Sequence, residues 1–452
     1  MRLKFFVIFM KAPTRLFALS FGIILCGAAA PPTTGSGSEP KIFDVRELGA
    51  TGDGTNLDTG AIQKALDACG TAGGGTVRFP AGIYLSRPLV IRTKTTFDVE
   101  AGATLLACTN QSDFMKVPGD WLKAASSGAF IPFIGGHNLT DVTFTGGGVI
   151  DGNGSVWWGE AEKARQLKSG YTLPRPNLIV LERCNNLRLE NITLQNSPKF
   201  HLVPVDCEDV VVSNVTILAP EHAANTDAID PSGRRMLFTR CRFDVGDDDI
   251  AIKAGKKIRG HEFESEDITV TDCTFLHGHG MSIGSETVGG VRNVTVKNCT
   301  FENTENGLRI KSDVKRGGIV ENISYRDITM SNVAPAITFT CYYMNNSAGD
   351  TTRPSAAKTI SAPPTGENIP AYRNIRVTNL KATCQKSAGV ILGLPDSCIS
   401  NVVFENVMLT SGTGLTIHNA MGIQFKNSSV TVSSGPAFSA ENAQVEGLED
   451  GN

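Results

Sequence analysis

Along most of this chain a polar residue is followed by a short apolar-x-apolar phrase. The phrase stands at Asp141-Val-Thr-Phe144, Asn191-Ile-Thr-Leu194, Asn214-Val-Thr-Ile217, Cys241-Arg-Phe243, Cys273-Thr-Phe275 and Cys299-Thr-Phe301. It continues at Asp327-Ile-Thr-Met330, Asn379-Leu-Lys-Ala382 and Asn406-Val-Met-Leu409. Alternation with a period of two is the mark of strands. From Asn191 to Asp327 the successive spacings are 23, 27, 32, 26 and 28 residues. A period in the twenties with strands and no helices between them is the signature of a β-solenoid. Too few residues separate the strands for crossover helices, which excludes a TIM barrel. The intervals from Asp141 to Asn191 and from Asp327 to Asn379 are about twice as long, with room for two coils or a loop insertion.

One helix is predicted, over Thr59 to Ala68, with Ile62, Ala65, Leu66 and Cys69 on one face. Asp58 or Thr59 would cap its start and Gly70 would stop it. A single helix ahead of a long β region suits a cap, because a solenoid must cover its open end. Several Asn-x-Ser/Thr triplets, at Asn191, Asn214 and Asn293 among others, match glycosylation acceptors in form. Falling at strand entrances, they read instead as turn residues, since Asn tolerates the required backbone and bonds locally.

Composition adjusts this picture only slightly. The 41% hydrophobic content allows a sizeable core, and 47 glycines with 7% aromatics suit many tight turns. The net charge of −3 conceals an acidic body. Residues 1–30 carry Arg2, Lys4, Lys11 and Arg15 without an acid, leaving 38 basic against 45 acidic residues. That balance argues against general nucleic-acid or anionic-membrane binding. Basic residues, the apolar run Leu16 to Leu25 and Gly27-Ala28-Ala29-Ala30 read as a secretion signal over 1–30, with Met10 as a second possible start. Lipidation at Cys26 is the weaker reading. Residues 31–40 form a Pro/Gly/Ser linker, and 41–452 are read as one β-helical domain. Later runs fall short of the ~20 apolar residues of a membrane span. The 11 cysteines lack a CxxC pair and many lie within strand phrases, so mostly buried free thiols are expected rather than a disulfide framework.

Candidate chemistry is concentrated between Asn225 and Lys311. Four clusters, NTDAID, GDDDIAIK, GHGMSIG and NGLRIK, each lead into an alternating strand. Stacked coils lie ~4.8 Å apart, so residues one period apart become neighbours. Aligning the strands puts Asp227, Asp248 and His279 in one column, with Asn306 next. Leu308 and Ile310 then face inward, and Arg309 and Lys311 outward. Paired carboxylates beside an imidazole suit general acid–base chemistry, and crowding should raise one carboxyl's pKa. The two cations add a holder for a carboxylate. Taken singly, each Asp or Asn is more often a turn residue and each cation a solvated one. Four consecutive coils adding reactive groups to one column favour a site. Trp157-Trp158 could line a groove or pack under a loop.

At these residues the chain resembles the polygalacturonases, glycoside hydrolase family 28. The resemblance runs from about Phe43 to at least Tyr342 and includes NTDAIDP, GDDDIAIK, GHGMSIGSE and NGLRIKSD in family order. It implies a single-stranded right-handed parallel β-helix and a secreted or periplasmic enzyme hydrolysing α-1,4 bonds between galacturonates of pectin. GHGMSIGSET and NGLRIKSD are most similar to bacterial endo-acting members. By position, Asp247 would be the general acid, while Asp227 and Asp248 hold and activate the attacking water. His279 would support the acid's protonation and the substrate, and Arg309 and Lys311 would bind its carboxylate. Asn225, Gly278 and Tyr342 join the substrate-binding set, with Tyr343 one register away. The resemblance also implies inversion without metal or cofactor, with carboxyls spaced to admit a water. A polysaccharide partner and a monomer are expected.

Two features depart from the family pattern. Asp249 stands where relatives often have Cys or Asn, and the loop Asn345 to Ile369, rich in Ser, Thr, Pro and Ala, does not map onto the family. Strict alternation would also turn Asp247 and Asp249 outward and Asp248 inward, so a bend at Gly246 is needed to bring Asp247 and Asp248 together. The alternatives are an exo-acting or rhamnogalacturonan-directed hydrolase, a Ca²⁺-dependent pectate lyase, and a β-helical adhesin without activity.

Overall fold

The computed structural model describes residues 41–115, 130–166, 175–343 and 368–448. The segments read as secretion signal and linker, and almost all of the Asn345 to Ile369 loop, lie outside these residues. From residue 41 onward the chain winds into the expected parallel β-helix, with three ladders of parallel strands running along it.

The repeated phrase builds one ladder. Ile150, Leu194, Ile217, Phe243, Phe275, Phe301, Met330, Ala382 and Leu409 are successive partners across its rungs. Their side chains are buried, and Phe275 stacks on Phe301 with centroids 4.3 Å apart. Asp141 begins a phrase of a different ladder, where Val142 and Phe144 pair with Leu187 and Leu189. Both long intervals are therefore single coils carrying insertions. Ile150 pairs directly with Leu194, and Ile328 directly with Leu380.

The insertion after Ile150 holds a helix, Ser155–Gln166, that the apolar pattern had not suggested. Its Trp157 is buried, meeting Phe114 and Phe130 edge-on, and Trp158 donates from Nε1 to Ser197 O at 3.1 Å. Both indoles thus serve packing. The predicted helix occupies Thr59–Thr71 and buries Ile62, Ala65, Leu66 and Cys69. Asp58 stands at its N-cap position, and Gly70 falls inside the helix and does not stop it. Asp58 makes no cap bond and instead accepts from the amides of Thr51 at 2.6 Å and Gly52 at 3.0 Å.

The asparagines of the turns have a common backbone. Asn191, Asn214, Asn293 and Asn322 lie at φ 53–58°, the left-handed region that a non-glycine residue enters most readily as Asn or Asp. Their amides then bond from coil to coil, as in Asn214 Nδ2 to Asn191 Oδ1 at 2.7 Å and Asn401 Nδ2 to Asn374 Oδ1 at 2.8 Å. The ten described cysteines are all free, eight of them buried.

The third ladder positions the clusters. Leu202, Ile229, Ile250, Met281, Leu308 and Ile337 are successive partners in it, fixing the register of all four motifs.

Candidate active site

This register brings Asp227, Asp248 and His279 onto adjacent coils, two residues ahead of Ile229, Ile250 and Met281. Asp247 joins them because the chain bends before the strand begins at Ile250. Gly246 makes the bend possible: a Cβ there would come within 2.5 Å of Ala223 O and 2.7 Å of Pro220 O. The bend breaks the alternation expected across the acid run. Asp247 and Asp248 both reach the cleft, and Asp249 turns into the interior, fully buried.

His279 joins the acids into one network. Its Nδ1 lies 3.0 Å from Asp247 Oδ1 and 3.9 Å from Asp248 Oδ1, and its Nε2 lies 3.0 Å from Glu305 Oε2. Asp248 accepts from Ser282 Oγ at 2.9 Å, Arg309 Nη1 at 3.4 Å and Lys311 Nζ at 2.6 Å. Leu308 and Ile310 are in the core as expected, yet Arg309 and Lys311 are themselves only 4% and 3% exposed. They line a sheltered dent rather than an open face, and Arg309 Nε has no hydrogen-bond partner. One atom each of Asp247, Asp248 and His279 lie within 4.8 Å of one another. Such a trio can hold a metal ion, but here Lys311 and Arg309 already balance the charge of Asp248.

The electrostatics separate the acids. Burial opposes charge on Asp247 and Asp248, but their partners prevail. His279 brings Asp247 down to about 2, and Lys311 followed by Arg309 brings Asp248 down as well. For His279, burial disfavours the imidazolium, and the charge and hydrogen bond of Asp247 with the bond to Glu305 reverse this, giving about 10. Asp227 is pushed well above the usual carboxylate range, first by burial and then by Asp230, Asp247 and Asp248. Its Oδ1 is buried without a partner. Of Asp227, Asp247 and Asp248, the carboxyl driven toward its neutral form in the substrate-free protein is therefore Asp227, while Asp247 and His279 form a charged pair.

Asn225 and Gly278 both act on Asp247. Asn225 donates to Asp247 Oδ2 from its backbone N at 3.2 Å and from Nδ2 at 3.3 Å. Gly278 has φ +66°, and a Cβ there would come within 2.7 Å of Asp247 O and 2.8 Å of Asp249 Oδ1. Tyr342 is packed in the core, whereas the ring of Tyr343 lies 5.6 Å from the Arg309 guanidinium and 5.0 Å from Lys311 Nζ. Tyr343, the neighbouring register, is the tyrosine beside the cations. Arg175 and Glu305 were not among the residues expected from the sequence. Arg175 donates to Asn225 Oδ1 at 2.7 Å and to Ala224 O at 2.5 Å, and so braces the turn that holds Asp247. Glu305 was discoverable, since it directly precedes Asn306 in a motif already singled out.

Asp249 leads to a stability prediction. Its Oδ2 accepts from the Gly280 amide at 2.9 Å, its Oδ1 is buried without a partner, and burial pushes its pKa well up. A carboxyl whose folded pKa exceeds its unfolded value gives stability below the unfolded pKa and loses it as pH rises. Asp249→Asn keeps the acceptor and removes the buried charge. At pH 8 it should stabilise the protein by about 1–3 kcal/mol in denaturant titration, with the gain shrinking toward pH 4.

Known proteins similar to this chain point to one family. The family model for glycosyl hydrolases family 28 matches residues 85–433. An endo-polygalacturonase of Pectobacterium carotovorum subsp. carotovorum is 33% identical over 421 residues, spanning 90% of this chain and 97% of the relative. Among solved structures, the polygalacturonase of Erwinia carotovora ssp. carotovora is 32% identical with a TM-score of 0.68, covering 81% of this chain and 93% of that one. An exopolygalacturonase from Thermotoga maritima is 25% identical with a TM-score of 0.67, covering 90% and 93%. On the strength of a family match across most of the β-helix, and a relative aligned along nearly its whole length, this chain belongs to glycosyl hydrolases family 28.

Proposed function

We propose that this protein is an endo-acting polygalacturonase that hydrolyses α-1,4 bonds between galacturonate residues of pectin with inversion. The observation that carries this reading is the pairing of two sheltered cations, Arg309 and Lys311 beside Tyr343, with the acids and His279 of the neighbouring coils. Cations with a free Arg309 Nε can take a sugar carboxylate, and Tyr343 supplies a ring against it. Asp247 protonates the leaving oxygen, drawing on the single proton it shares with His279 Nδ1. Asp248, kept ionised by Lys311 and Arg309, holds the attacking water together with Asp227 and receives its proton. No metal or cofactor enters this scheme.

A second reading exchanges two roles. The raised proton affinity of Asp227 favours its neutral form in the resting site and makes it an alternative donor. Residues 1–30 as an export signal, 31–40 as a linker and 41–452 as a monomeric catalytic domain belong to the same proposal.

A timed digest of polygalacturonate tests the reading. Early products should be oligomers of mixed size, and one small product from the start would instead mean exo action. NMR of the first product should find the anomer opposite to that of the substrate, and retention would overturn the inverting scheme. Ultraviolet-absorbing unsaturated products abolished by chelator would indicate a lyase.

A further inference from the structure

Glu305 belongs to none of the roles above, yet its carboxylate closes the far side of His279. Its own backbone is fixed, because the Glu305 amide donates to Gly278 O at 2.8 Å and the preceding Thr304, 1% exposed, bonds to Asn306 O at 2.7 Å. The side chain therefore leaves the coil at a set place, with Oε2 3.0 Å from His279 Nε2, while Nδ1 of the same ring lies 3.0 Å from Asp247 Oδ1. A ring held at both nitrogens by carboxylates can point neither edge elsewhere. Glu305 is 70% exposed and His279 24% exposed, so an ion pair between them adds little to folding. In a cleft built to receive an acidic sugar, an additional carboxylate also works against binding. Neither folding nor affinity accounts for it, which leaves an effect on the imidazole.

We propose that Glu305 is a positioning residue for the hydrolysis: it holds the His279 imidazole with Nδ1 turned to Asp247 and so sets the pH range over which the Asp247–His279 pair retains its proton. The charged groups facing the ring are Asp247 and Asp248 from the preceding coil, with Asp249 behind them, and Glu305 and Arg309 from the following coil. Arg309 opposes the imidazolium and the acids favour it. Glu305 touches the ring at the edge away from the proton shared with Asp247. The pair titrates as a unit, and loss of its single proton at high pH leaves Asp247 unable to donate. Glu305 raises the pH at which that loss occurs. The inference rests on the reading of Asp247 as the acid.

The test follows the His279 ring signal by ¹⁵N NMR across pH in the substrate-free protein, assigned by its absence in His279→Gln. It is paired with the pH profile of kcat/KM for wild type, Glu305→Gln and Glu305→Asp. A carboxylate partner of an exposed pair is worth about one pH unit at the lower end of such effects. Glu305→Gln should lower the His279 midpoint from about 10 by that amount. The alkaline limb of kcat/KM should move with it, leaving a roughly tenfold lower rate above the limb, and KM should not rise. Glu305→Asp should recover part of both changes. An unmoved His279 midpoint would overturn the role of Glu305 while leaving the acid assignment intact. A midpoint that falls while the rate profile stays in place would show that the pair's proton is not the reacting one, and the Asp247 reading would fail instead.

Discussion

Asp247→Asn is expected to lower kcat on polygalacturonate by roughly 10²–10⁴-fold, the usual contribution of a positioned general acid, with the thermal transition unchanged within error. Asn keeps the shape of the side chain, and its one oxygen can still accept from Asn225 or from the His279 ring. The loss should therefore be one of proton donation. A galacturonide with an aryl leaving group of low pKa separates this from other causes, because such a group departs without a proton. Asp247→Asn should cleave it nearly as fast as wild type does, whereas Asp227→Asn should remain slow. The opposite pattern would transfer the acid role to Asp227, whose burial beside three other carboxyls pushes it toward its neutral form. Full activity of Asp247→Asn on the polymer would remove Asp247 from the acid role outright.

Lys311→Met carries the second large effect, and it falls on stability as well as activity. Asp248 is 2% exposed and Lys311 is 3% exposed, with Nζ 2.6 Å from Oδ2. Removing one partner of a buried pair leaves an uncompensated charge and typically costs about 3–5 kcal/mol. Arg309 remains at 3.4 Å and offsets some of this, so the lower end is expected. The sign with pH can be checked independently. Asp248 has a depressed pKa in the folded protein, so its pairing stabilises above the unfolded value near ~3.9 and is lost as pH falls further. The deficit of Lys311→Met should therefore be full at pH 7 and should narrow toward pH 3. Adding Asp248→Asn should restore most of the lost stability and none of the activity, a coupling measurable in a double-mutant cycle. Independent, additive losses in denaturant titration would mean that the pair is not coupled as described.

Much of the architecture was legible because a solenoid repeats a local rule. The period-two phrases marked the strands, the period in the twenties marked the coils, and aligning Ile229, Ile250, Met281 and Leu308 recovered the register of the site ladder. The first helix was legible because its apolar positions follow a 3.6-residue period with nothing to mask it. Ser155–Gln166 escaped notice because its two tryptophans adjoin and a Gly-rich turn precedes them, which hides the repeat of Trp157 and Ala161 one turn apart. The long intervals could not be resolved by counting, since a coil with an insertion and a pair of coils have the same length. Register alone decided that both are single coils.

Within the site, residue types and their order along the chain were sufficient to place Asp227, Asp248, His279, Arg309 and Lys311 together, because neighbouring coils convert sequence period into contact. What alternation could not supply is the direction of Asp247 and Asp249. That depends on a bend with no room for a side chain at Gly246, formed by carbonyls of residues 220–223. The choice between Tyr342 and Tyr343 likewise waits on where the strand ends and the chain turns. Charge states lay still further out of reach. A motif names the acids but not their burial or their partners, and those decide that Asp248 is ionised by Lys311, that Asp247 is paired with His279, and that Asp227 and Asp249 are pushed toward neutrality. The sequence by itself determined the coil, the register and the inventory of the site. The tertiary structure decided which way each acid points and which of them holds a proton, because both depend on contacts across coils that no local pattern encodes.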